Sequence, residues 1–150
     1  MAFMADRFFV DTNLLVYSRD ASEHEKQQKA MKWMTRLWQD KSGRLSYQVL
    51  QEFYITVTHK LEPGLPVHIA RMDVRSLMSW QPVPSSDSML ERAWAIQDRY
   101  ALSWWDALIV SAAQIAECNY LLTEDLQENQ HLGAVTVLNP FQAEPDTLMS

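Results

Sequence analysis

The sequence predicts an α/β protein, a three-layer sandwich whose central, mostly parallel sheet of four to five short strands is flanked by helices. Three observations lead there. Phe8–Val10, Tyr120–Thr123 and Val135–Leu138 are short apolar runs of the kind buried strands leave, long stretches with helical periodicity separate them, and the 150 residues suit one domain over 1–150. Six Trp, five Tyr and five Phe against three Gly supply apolar mass for a core and argue against disorder.

Phe8-Phe9-Val10 reads as a buried strand stopped by Asp11-Thr12-Asn13. Ser22 with Glu25 forms a capping box for a helix over about 23–39, whose apolar positions are Ala30, Met31, Met34, Leu37 and Trp38. Ser42-Gly43 breaks the chain, Arg44–Ser46 fits a short strand, and Val49, Leu50, Phe53 and Val57 mark a helix reaching Lys60. Pro66 opens a third helix that runs to Trp80, and Pro82-Val83-Pro84 fits an edge strand. Ser86 or Asp87 caps a fourth helix ending near Tyr100, and Ser103 with Asp106 caps a fifth that is apolar enough for the interior. Asn119 fits a left-handed helix cap, and the last two strands follow.

Charge and composition narrow the function. A single cysteine, Cys118, leaves no intrachain disulfide framework and no multi-cysteine metal site, which suits a reducing, cytoplasmic setting. Asp6 and Arg7 interrupt the stretch 1–10, so no export signal is expected, and Ala107–Ala116 is too short to span a bilayer. The net charge of -6 does not favour loose attachment to a polyanion.

In parallel sheets the strand C-terminal ends form the ligand-binding edge. Asp11 follows the first strand, Glu124 and Asp125 follow the Tyr120–Thr123 strand, Asp106 opens the fifth helix, and Glu52 lies among apolar neighbours in the second. Carboxylates meeting without His or Cys form an oxygen-only site suited to Mg²⁺ or Mn²⁺ rather than zinc.

These pieces closely resemble the PIN-domain ribonucleases, and within them the VapC-type toxins of bacterial toxin–antitoxin pairs. The resemblance lies in Phe9-Val10-Asp11-Thr12-Asn13, Gln51-Glu52-Phe53, Leu102-Ser103-Trp104-Trp105-Asp106-Ala107-Leu108-Ile109 and Leu122-Thr123-Glu124-Asp125-Leu126, and it covers almost the whole chain. It implies a metal-dependent endoribonuclease acting on structured RNA. The implied catalytic and metal-binding quartet is Asp11, Glu52, Asp106 and one acid of the Glu124-Asp125 pair, of which Asp125 is favoured. Thr12, Asn13, Ser103 and Glu124 would then support the ligands and metal-bound waters. The same resemblance implies a homodimer and a small antitoxin laid over the active-site groove.

An acidic nuclease must still hold RNA, and Lys26, Lys29, Lys32 and Arg36, with His24 and Arg19 nearby, line one flank of the first long helix as a candidate phosphate ridge, or as a solvated face balanced by Glu23 and Glu25. Trp104 and Trp105 suit base stacking, although packing is expected of at least one. His59, His68 and His131 lack ligand spacing. Asn13 stands where an aspartyl-nucleophile phosphatase needs a second Asp, and the pattern lacks the paired β-rich halves of an aspartic protease. The competing class is a non-catalytic PIN-like module that binds RNA or protein.

Overall fold

The computed structural model describes residues 5–148; the first four residues of the stretch read for an export signal lie outside them. Five strands form one sheet: β1 (Phe8–Val10), β2 (Gly43–Arg44), β3 (Tyr120–Leu122), β4 (His131–Leu132) and β5 (Val135–Leu138). Their spatial order is β2-β1-β3-β5-β4, parallel throughout except for the β4–β5 hairpin. β1 is thus central, and all three of its side chains are buried, as expected of an apolar run covered on both faces.

The five long helical stretches form α2 (His24–Asp40), α3 (Tyr47–His59), α4 (Val67–Leu77), α5 (Asp87–Tyr100) and α6 (Trp104–Ile115). α6 buries every residue from Ala107 to Ala113, as its apolar sequence requires. Trp33 of α2 is fully buried against Phe8, and Phe8 stacks on Tyr120 at 5.1 Å, which joins a flanking helix to the two central strands. Gly43 permits the closest approach in the sheet edge: a Cβ there would lie 2.5 Å from the Trp80 ring.

Several local features differ from the sequence reading. α1 (Thr12–Tyr17) and α7 (Pro145–Leu148) are additional helices, too short to leave a 3.6-residue pattern. The Ser22 capping box does not form, because the Ser22 N–H and hydroxyl both bond the Asp20 carboxylate, at 3.0 and 2.6 Å, and Glu23 occupies the cap without a side-chain bond. Pro66 precedes α4 rather than opening it, and a 3-10 turn, Met78–Trp80, completes that segment. The Arg44–Ser46 strand shifts to Gly43–Arg44; Ser46 instead bridges Val83 in parallel, which is all that remains of the expected edge strand. The left-handed residue after α6 is Glu117 (φ 56°), not Asn119. The Asn119 side chain instead accepts the Arg7 N–H at 2.9 Å, tying the start of β1 to β3.

Candidate active site

Asp11 follows β1 and caps the N-terminus of α1. One carboxylate oxygen accepts the Thr12 N–H at 2.7 Å and the other accepts the Thr123 hydroxyl at 2.8 Å. The residue is 9% exposed. Burial pushes its pKa from 3.8 up to about 6, against the two hydrogen bonds, and the negative charges of Asp125 and Glu52 add to the rise. Two parallel strands place this bond: β1 and β3 pair Val10 with Leu122, so the residues after each strand, Asp11 and Thr123, meet at the sheet edge.

Thr123 links two acids. Its hydroxyl oxygen also accepts the Asp125 N–H at 3.1 Å, and the Asp125 carboxylate accepts the Asn13 amide at 2.8 Å. Burial raises the Asp125 pKa first, followed by the charges of Glu124 and Asp106. Glu52 is brought in from α3, where one oxygen accepts the Thr12 hydroxyl at 2.7 Å and the other accepts the Gln48 amide at 3.0 Å. Asp106 lies in the first turn of α6, with its N–H held by the Ser103 hydroxyl at 3.2 Å. Glu124 faces a different partner, the Lys26 ammonium at 2.9 Å.

Asp11, Glu52 and Asp125 are therefore threaded together by Thr12, Asn13 and Thr123, and Asp106 is near enough to repel Asp125. Among the described residues, no three acidic side chains as placed form a cage for an ion. Thr12, Thr123, Asn13 and Gln48 each donate one hydrogen bond to these carboxylates, which leaves further oxygen lone pairs open to a cation. The donor chemistry still fits a hard divalent cation: all ligands are oxygens, and burial beside other acids raises the Asp11 carboxyl. Asp11, Glu52, Asp106 and Asp125 are the residues that would hold it.

Thr123 is the site residue that sequence reasoning missed. Its position at the end of a buried strand, directly before two acids, was the available signal. The candidate phosphate ridge presents differently from a row of free cations. Lys26 bonds Glu124, Lys29 bonds the Phe141 carbonyl at 3.1 Å and lies 3.6 Å from Glu25, and Lys32 meets Glu144 at 3.1 Å. Arg36 is shared between Asp40 and Asp146, both at 3.0 Å, and Arg19 forms a forked pair with Asp73. His24 is exposed.

A parallel sheet that delivers acidic side chains at its strand ends, with helices on both faces, defines an α/β protein with a carboxylate strand-end site. The PIN domain family model matches residues 8–130, and the chain belongs to that family. No curated protein matches the sequence. Among solved structures, the fold is similar to a chain from a toxin–antitoxin complex of Klebsiella pneumoniae, at TM-score 0.60 and 18% identity over 88% of this chain and 96% of that one. It is also similar to VapC20 of Mycobacterium tuberculosis, a toxin that cleaves the sarcin–ricin loop, at TM-score 0.55 and 19% identity over 79% and 89%. Among the described residues no helix is long and apolar enough to cross a membrane.

Proposed function

We propose that this chain is a metal-dependent endoribonuclease, the toxin of a toxin–antitoxin pair, acting in the cytoplasm as a single domain over 1–150. The buried Asp11 carboxylate carries the reading, set between two strand ends and beside other acids, with no cation among the described residues bonded to it. The family assignment and the two toxin-related neighbours support it.

Asp11, Glu52, Asp106 and Asp125 would hold Mg²⁺ or Mn²⁺, which would supply an activated water and neutralise charge on the phosphodiester. Thr12 and Thr123 orient the carboxylates by donating hydroxyl hydrogens, Asn13 fixes Asp125, and Ser103 anchors the helix turn that carries Asp106. Glu124 stays with Lys26, which leaves Asp125 as the acid of that pair directed to the site. The antitoxin and a second copy of the chain are the proposed protein partners.

The test is cleavage of total cellular RNA by purified protein with Mg²⁺ or Mn²⁺, beside EDTA, Asp11→Asn and Asp106→Asn. Metal-dependent cuts absent from both variants are expected. Folded protein, free of a copurified inhibitor, that cuts nothing with either metal would replace this reading with a non-catalytic binding module.

A further inference from the structure

Two observations meet at the first turn of α6, and a third lies on α2. Trp105 is 63% exposed, the most exposed of the large apolar side chains among the described residues, and it directly precedes Asp106. Its neighbour Trp104 is half-buried and stacks on Trp94 of α5 with ring centroids 6.2 Å apart and planes 28° from parallel, while Trp94 remains 50% exposed. An exposed indole therefore lies one residue before one of the four acids, on the same helical turn. The third observation concerns what is lacking elsewhere. Every cation on the α2 flank already has a partner within the chain, and the net charge is -6. On that flank, phosphates would have to displace Glu124, Glu144 and Asp146 from those cations.

Base stacking supplies affinity without charge. Every nucleobase has an apolar face, and an exposed indole offers a large rigid one. We propose that Trp105 is a stacking platform for an unpaired nucleobase beside the bond that is cut, making it a substrate-binding residue; this rests on the ribonuclease reading. An indole sheds water on meeting a base, and a base held on the turn that carries Asp106 brings its own phosphate to the acidic edge. Recognition of this kind demands that the base be unstacked, so the preferred substrate has a single-stranded loop, bulge or tail at the cut.

The experiment uses single-stranded oligonucleotides carrying a cut site mapped from total RNA, with a matched series made abasic at the nucleotides flanking the cut. Cleavage with Mn²⁺ is measured for wild type, Trp105→Ala and Trp105→Phe, and Mn²⁺ affinity is measured for each by calorimetry. Expected is a KM raised about tenfold or more by Trp105→Ala, restored largely by Trp105→Phe, with Mn²⁺ affinity unchanged in both. On abasic oligonucleotides wild type and Trp105→Ala should converge. An unchanged KM in Trp105→Ala, or a difference that persists on abasic RNA, overturns the platform while leaving the ribonuclease reading intact. Wild type that neither cuts nor binds any RNA overturns both.

Discussion

Asp11→Asn should stabilise the metal-free protein while abolishing cleavage. Burial holds the Asp11 carboxyl up to about 6 in the native state, against 3.8 for the ordinary group. Between these values the native state binds more protons than the unfolded one, so the contribution of Asp11 to stability is greatest below about pH 4 and is lost as pH rises through about 6. A gap of about two pH units corresponds to about 3 kcal/mol at neutral pH. The amide recovers part of this. Its oxygen keeps the Thr12 N–H, and its nitrogen donates to the Thr123 hydroxyl oxygen, which already accepts the Asp125 N–H. The Thr123 hydroxyl hydrogen then loses its acceptor, costing about 1 kcal/mol. The net gain is about 2 kcal/mol, or about 5 °C in Tm for a chain of this size. Thermal unfolding followed by circular dichroism in EDTA, at pH 4 and pH 7, measures it. A variant no more stable than wild type at pH 7, or one with the same advantage at both pH values, would refute the reasoning.

Other perturbations separate the site from its scaffold. Saturating Mg²⁺ should raise the Tm of wild type at pH 7 but not that of Asp11→Asn, as differential scanning would record. Thr123→Val removes a hydrogen bond that lowers the Asp11 pKa, so the acid limb of the cleavage profile should move to higher pH while the alkaline side stays in place. Gly43→Ala drives a methyl into the Trp80 ring and should cost about 1–3 kcal/mol in urea unfolding. Trp33→Phe strips the Pro140 and Ala143 carbonyls of the indole N–H bonded at 2.9 and 3.0 Å; it should cost about 1–3 kcal/mol and speed hydrogen exchange in α7 and the segment before it.

What was legible in the sequence was what repeats locally. β1, β3 and β5 are short, mostly apolar runs, and α2 to α6 are long enough to show their period, so the layer order follows from their alternation. α1, α7 and β4 span two to six residues and carry no such signal. Asp11 and Asp106 stood out because a strand end and a helix cap both place them. The Thr123 bond to Asp11 depends on strands 112 residues apart in sequence lying side by side. The ion pairs that occupy the α2 flank escaped notice for the same reason, since Glu144 and Asp146 approach Lys32 and Arg36 across 112 and 110 residues. Asn119 and Ser22 misled because each has a strong intrinsic preference that a nearby partner, Arg7 or Asp20, redirects.

The bonds Thr123 to Asp11 and Asn13 to Asp125 each close a loop of 112 residues. A chain emerging from the ribosome displays Asp11 early, yet the partner that holds it arrives only when Thr123 is synthesised. Until then the first strand lacks the neighbour that pairs all three of its residues, and long-range pairing of that kind is slow to form. Birth of the protein and birth of its chemistry are therefore separated in time, and a growing polypeptide passes most of its synthesis without an assembled centre.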